Sequence, residues 1–283
     1  MKILYLNTWN HPKNHEALLY YKNIELISIN TIQQFQNINL SQFDAVYSPS
    51  QPINVSLYPN TKFIFGPHFS IFPDKNQIDL ISRPNSTYIQ PSEWASNVWI
   101  NDEICKNIKI KSLPFAVNTY KFNENKPILE RNQVFIYYKG RNMQDLSLIE
   151  QFFKNKNINY KIFSYKNKYN ENDFINYLQN SKYGIWIGCN ESQGFALEEA
   201  LSCNVPLLVW NIKFISKNNK DISATSIPYW DERCGEYFYN INELENIFNL
   251  FISKLNTYKP REYILENLTS NLCEQKLINI INN

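Results

Sequence analysis

Residues 184–211 read GIWIGCNESQGFALEEALSCNVPLLVWN. A nearly continuous apolar run ends at Cys189, as expected of a strand buried on both faces of a sheet. The polar loop Asn190-Glu191-Ser192-Gln193 follows, Gly194 opens a helix of small and apolar residues, and a second apolar strand begins at Val205. A helix that starts at the carboxyl edge of a strand presents unpaired N–H groups and the positive end of its dipole, a seat for phosphate. Gly194, having no side chain, lets backbone and ligand approach closely there. Glu191 stands before this seat, and Glu199 lies five residues into the helix, about 7–8 Å further on at the helical rise. Two acceptor-only carboxylates on either side of a diphosphate suit paired hydroxyls. Glu198 is expected to be exposed or structural.

Outward from this stretch the pattern is regular. QVFIYYKGR (133–141) is a strand running into a loop, MQDLSLIEQFFKN has helical periodicity, NYKIFSY is a strand and ENDFINYLQNS a helix. With the strands and helix of 184–211 these make four β-α units, a doubly wound, Rossmann-like half whose ligands sit at the carboxyl ends of its strands. An earlier half repeats the alternation. KILYLN (2–7), NIELISI, FDAVYS, KFIFG, TYIQPS and IKIKSLP are short β-rich runs, with helical patterns near 14–22 and in SEWASNVWI (92–100), where Ser92 is the N-cap. Residues 118–132, NTYKFNENKPILERN, lack apolar periodicity and read as a linker. The tail carries two helical patterns split by Pro260.

Composition agrees with two α/β domains. The chain has 283 residues, 43% hydrophobic and 15% aromatic, enough for packed cores and too apolar for disorder. Lys+Arg 28 against Asp+Glu 26 leaves +2, which removes the electrostatic case for a nucleic-acid binder. No apolar run reaches the roughly 18 residues of a membrane span, although peripheral membrane contact is left open. The opening MKILYLNTWNHPKNHE is too polar for a signal peptide. The five cysteines are odd in number and lack metal-ligand spacing, with Cys189 and Cys203 expected as buried small residues. These features point to a cytoplasmic chain, in the host cytoplasm if it is viral, with the sequons at Asn54, Asn85 and Asn267 arising by chance.

Glu191-Ser192-Gln193-Gly194-Phe195-Ala196-Leu197-Glu198-Glu199, continued by Ala200 to Pro206, resembles the retaining group 1 glycosyltransferases of GT-B fold, whose hallmark is a Glu, seven residues, then a Glu. The spacing selects Glu199 as the second Glu. Gln193 and Asn204 depart from the family's usual aromatic and glycine. Tyr138-Lys139-Gly140-Arg141 looks like the family's Gly-Arg, whose Arg reaches the donor diphosphate. The family's further Lys is replaced by Leu146, for which Lys139 is a substitute. Pro91-Ser92-Glu93-Trp94, Leu113 to Asn118 with Phe122, and Pro260-Arg261-Glu262-Tyr263 fall in the family's order. The resemblance is specific over about 130–211, loose over 60–130 and weak over 1–60, where Asn7 to His11 replace a glycine-rich loop.

The resemblance implies two Rossmann-like domains facing a cleft: an acceptor-side domain (1–117), the linker, a donor-binding domain (133–260) and a helix (261–283) returning to the first. It implies transfer of a hexose-type sugar, with retention and without metal or other cofactor, from a nucleoside-diphosphate sugar to a hydroxyl of a glycan or glycoconjugate. Glu191 would hold sugar hydroxyls, Glu199 the ribose and Arg141 the diphosphate, with Lys139, Gly140, Ser192, Gln193, Gly194, Phe195 and Ala196 completing the donor site. His68, in FIFGPHFSIFP, would face the transferred sugar, so that Glu191, His68 and Arg141 form the catalytic set. Tyr229 to Gly235 is either a packed connector or a cleft lining, and Trp9 either core or a sugar-stacking platform. His11 and His15 lack the further ligands of a metal site. Two other readings are a non-catalytic GT-B-like protein that binds a sugar nucleotide or glycan, and a GT-B sugar-nucleotide epimerase or hydrolase.

Overall fold

Short apolar strands joined by helices form parallel sheets, because each helix returns the chain to the same sheet edge. The computed structural model describes every residue except Lys168 and Asn218. The chain divides into two units, one made of Met1–Ala116 with Leu268–Asn283 and the other of Val117–Asn267.

The first unit runs β1 (Lys2–Leu6), α1 (Pro12–Leu19), β2 (Glu25–Ile29), α2 (Ile32–Gln36), β3 (Ala45–Ser48), β4 (Phe63–Phe65), α3 (Lys75–Ile81), β5 (Ser86–Gln90), α4 (Glu93–Ile100) and β6 (Lys109–Ser112). Its strands lie in the order β2-β1-β3-β4-β5-β6, all parallel. The inner strands β3, β4 and β5 are buried throughout, whereas the edge strand β6 is Lys-Ile-Lys-Ser and largely exposed. Alternating lysines discourage further pairing at such an edge. Trp99 of α4 stacks on Tyr88 of β5 with ring centroids 3.7 Å apart and donates its indole N–H to the Ile71 carbonyl. Ser92 does occupy the N-cap of α4, but its side chain makes no capping bond.

The second unit runs β7 (Gln133–Tyr138), α5 (Met143–Asn155), β8 (Lys161–Ser164), α6 (Glu171–Asn180), β9 (Ser181–Ile187), α7 (Phe195–Ser202), β10 (Leu207–Trp210), β11 (Phe214–Lys217), β12 (Lys220–Ser223), β13 (Gly235–Phe238), α8 (Leu244–Ser253) and α9 (Pro260–Asn267). Five parallel strands lie in the order β13-β10-β9-β7-β8, and β11 pairs with β12 as a separate antiparallel hairpin. Neither β13 nor the hairpin was anticipated from sequence. The core gathers Ile136, Ile149, Phe153, Ile185, Leu208 and Phe251.

Residues 118–132 do not hang free. Phe122 and Arg131 are buried in the second unit, and Lys121 pairs with Glu171. The tail's second pattern is two helices rather than one. It breaks after α9, and the final helix, α10 (Ser270–Asn282), belongs to the first unit. There the Glu274 carboxylate accepts from the backbone and side-chain N–H groups of Asn23, and Lys62 donates to the Ile281 carbonyl. No helix among the described residues is long and apolar enough to cross a membrane.

Candidate functional site

In the second unit the strand order reverses between β7 and β9, so the loops leaving their carboxyl ends diverge and open a crevice, the usual ligand position in such sheets. The loop after β7 is Lys139-Gly140-Arg141, and the loop after β9 runs to Gly194 and the start of α7. The two are tied by the Lys139 N–H, which donates to the Ile187 carbonyl at 2.9 Å. The fold therefore gathers 139–141 and 191–199 at one sheet edge, while His68 belongs to the first unit.

Gly194 caps α7 at φ +94. A Cβ built there would meet only ordinary contacts, Glu191 Cβ at 3.7 Å and Pro228 at 3.8 Å. The glycine is thus needed for its left-handed backbone and not to clear protein atoms. The Leu197 and Glu198 amides both bond to the Gly194 carbonyl, so the first turn offers fewer donors than a fully open helix start.

Lys139 Nζ lies 2.8 Å from the Glu191 carboxylate and 4.6 Å from the centroid of the Tyr165 ring. Burial pushes the Glu191 carboxyl above its ordinary range, and Lys139 partly offsets this. Arg141 Nε donates to Asp145 at 2.9 Å, and its guanidinium carbon lies 4.4 Å from the centroid of the Trp210 ring. Neither terminal Nη bonds a described residue. Leu146 is a buried core residue of α5, so that position supplies no cation to the site.

Glu198 is not exposed. It is wholly buried, and both of its oxygens accept from Gln193 Nε2, at 2.8 and 3.0 Å. Burial, with Glu199 and Glu191 nearby, drives its pKa well above the ordinary carboxyl value, against a smaller opposing effect of the Gln193 bonds. Glu191 and Glu199 are themselves 7% and 5% exposed, so these acids do not form an open rim. Ser192, Phe195 and Ala196 are half-buried and Gly140 is exposed, and these line the solvent side.

Among the residues that brace the site, Asn211, Thr225 and Arg131 were not singled out from sequence. The side-chain oxygen of Asn211 accepts from the N–H groups of Ile212 and Ser226 and from the Thr225 hydroxyl. Thr225 in turn accepts the Glu191 N–H at its carbonyl. Arg131 and Arg261 gather carbonyls at the far end of α7: Arg131 takes Cys203 and Asn204, Arg261 takes Ser202. Cations there complement the negative helix end. Asp231, Arg233 and Glu266 form a chain of ion pairs joining the 229–235 loop to α9. Cys189 is half-buried and the other four cysteines are buried.

In the first unit His68 Nε2 lies 2.9 Å from Asn10 Oδ1. Trp9 is 58% exposed, which excludes a core role, and meets the His68 ring edge-on at 5.0 Å. His11 Nδ1 accepts the Lys13 N–H and caps α1, while His15 stacks on Tyr5. Among the described residues no three His, Cys, Asp or Glu side chains come together as a metal site would need. A surface depression of about 680 Å³ beside Glu150, Lys154 and Tyr160 lies at the amino edge of the second sheet, away from these loops.

No protein-family model matches the chain, and no curated protein matches it in sequence. Solved structures do. The chain is similar to the N-terminal domain of trehalose-6-phosphate phosphatase from Candida albicans, with 10% identity over 99% of this chain and 96% of that one and a TM-score of 0.63. It is similar to sucrose-phosphate synthase from Thermosynechococcus elongatus, at 10% identity over 85% and 73%, TM-score 0.54. It is also similar to MnaA from S. aureus in a structure with UDP, at 13% identity over 99% and 95%, TM-score 0.51. At these identities the likeness establishes the fold: two Rossmann-like units of GT-B type.

Proposed function

We propose that the protein is a glycosyltransferase of the retaining group 1 kind, moving a hexose-type sugar from a nucleoside diphosphate to a hydroxyl of a glycan or glycoconjugate. The observation that supports this most is Arg141. Its Nε is fixed by Asp145 and its face by Trp210, yet both Nη groups remain unspent at the crevice where Lys139 and the start of α7 also lie. A planar donor pair held this way matches two oxygens of a diphosphate.

In this reading the diphosphate draws Lys139 away from Glu191, which is then released to accept sugar hydroxyls while Glu199 takes the ribose. As the bond to the anomeric carbon breaks, charge accumulates on the leaving phosphate oxygen. Arg141, Lys139 and the α7 dipole stabilise it, so the reaction as proposed needs no metal. The leaving oxygen takes the acceptor's proton, and His68 lies on the acceptor side. The chain is taken to act in the cytoplasm.

The test is a thermal-shift screen against nucleoside-diphosphate sugars. A donor at a hundredfold excess over its dissociation constant adds about 2.7 kcal/mol of apparent stability. The shift is expected to vanish in Arg141→Ala and Glu199→Ala. Failure of every donor, or a shift that survives both substitutions, would overturn the reading. Product analysis with and without an acceptor then separates transfer from hydrolysis or epimerisation, and the anomeric configuration of the product tests retention.

A further inference from the structure

The antiparallel hairpin of β11 and β12 is joined to neither parallel sheet. A two-stranded ribbon without a third strand is marginally stable in water, so the chemistry of its faces matters. Its base is pinned. The Ala224 N–H donates to the Lys213 carbonyl at 3.1 Å, and Asn211, just before the hairpin, accepts the N–H groups of Ile212 and Ser226.

Side chains alternate between the two faces of a strand, so the register sorts them. Ile215 stands opposite Ile222 and Lys217 opposite Lys220, which puts these four on one face, and Lys213 continues the alternation onto it. Phe214 and Ser216 take the other face with Asp221 and Ser223. Asp221 is the only acid of the hairpin, and there it accepts from the Ser216 hydroxyl at 2.6 Å. Charge is therefore separated by face: three exposed lysines surround two half-buried isoleucines on a side that carries no acid. Like charges directly opposite in a ladder destabilise it, and a negative surface laid over them reverses the sign.

The surface continues onto the edge strand β13. Lys213 Nζ lies 4.5 Å from the centroid of the Tyr239 ring, and Tyr239 meets Tyr237 edge-on at 5.5 Å, both rings being exposed. Glu243 also faces Lys213, but its carboxylate is held by the Tyr239 and Asn240 N–H groups. Lysine stems cover apolar surface while their ammonium groups reach headgroups, and tyrosine rings suit a boundary that is apolar on one side and wet on the other. A soluble polyanion would use the charge alone. We propose that this face, with Tyr237 and Tyr239, docks the second unit on an anionic lipid bilayer. Asn211 also braces the Glu191 loop through Thr225, so the docked hairpin shares an anchor with the candidate site. That docking brings the site to an acceptor carried on lipid rests on the transferase reading; the docking itself does not.

Co-flotation of the full chain with lipid vesicles tests this. Phosphatidylcholine vesicles with about one-third phosphatidylglycerol should carry the protein, phosphatidylcholine alone should not, and added salt should weaken the binding. Lys217→Ala and Lys220→Ala should each weaken it about fivefold, and reversing both charges, Lys217→Glu with Lys220→Glu, should abolish it. Tyr237→Ser should weaken it as well. Phe214→Ser, on the opposite face, should leave it unchanged, and urea melts check that each variant is folded. Equal binding to both kinds of vesicle, binding to neither, or binding that survives the double reversal would overturn the proposal. So would a loss in Phe214→Ser as large as in the lysine variants, which would put the contact on the other face. A chain that binds dextran sulfate but no vesicle recognises a polyanion and not a bilayer. No sugar nucleotide enters the assay, so its failure leaves the transferase reading standing, and failure of the donor screen leaves the docking standing.

Discussion

Glu198 is wholly buried, and its bonds from Gln193 hold the loop that carries Glu191. Its carboxyl binds a proton more tightly when folded than when unfolded. The stability this gives is complete below the ordinary carboxyl range and is lost as pH rises toward the folded value. The slope is at most about 1.4 kcal/mol per pH unit for one proton. Glu198→Gln should flatten this dependence and raise stability at alkaline pH, as read from urea melts across pH; an unchanged slope would show that Glu198 is ionised when folded. Gly194→Ala should lose about 1–2 kcal/mol in the same melts, because the cost lies in a left-handed backbone and not in a clash. That residues 139–141 and 191–199 stand on loops after two strands could be read from spacing, since Gly-Arg after one strand and two Glu eight apart after another need only local pattern. The partners could not. Lys139 and Glu191 are 52 positions apart and meet because β7 lies beside β9, a property of sheet order. Glu198 sits on the inward side of a helix buried nearly all round, where polarity misleads.

Helix α7 is fixed at both ends, by the Gly194 turn in front and by two arginines behind. Arg131 is 3% exposed and donates to the carbonyls of Lys126, Ser181, Cys203 and Asn204, with Glu124 as its carboxylate partner. Arg131→Met would strand those carbonyls and is expected to cost about 3 kcal/mol in denaturant melts. Arg131→Lys should recover little, since one ammonium cannot span the fork. Loss of the α7 anchor should also weaken donor binding. Strands buried on both faces were legible as apolar runs, and the helices between them as periodic stretches. What escaped were β13, only four residues long with a glycine at its head, and the hairpin of β11 and β12, which is polar and exposed. The segment 118–132 misled for a related reason: its anchors are a guanidinium and single aromatics whose partners lie far along the chain.

At the scale of the whole molecule, the two units draw on the chain differently. The second is one continuous stretch, while the first includes α10, with Cys273, Leu277 and Ile281 buried and Glu274 bonded to Asn23. A chain ending at Asn267 should therefore lose the cooperative melting of the first unit while nucleotide titration still reports an intact second unit. Loss of both together would show that the units stabilise one another. The break between α9 and α10 was hidden in the sequence, because apolar residues recur through it with nearly unbroken helical period. That last helix also sets a timetable. On the ribosome, the half synthesised first is the last able to finish: its six strands emerge early but wait for residues that follow the entire second half. The later half closes before the earlier one, and through that interval the nascent sheet is the part of the protein most in need of shelter from other chains.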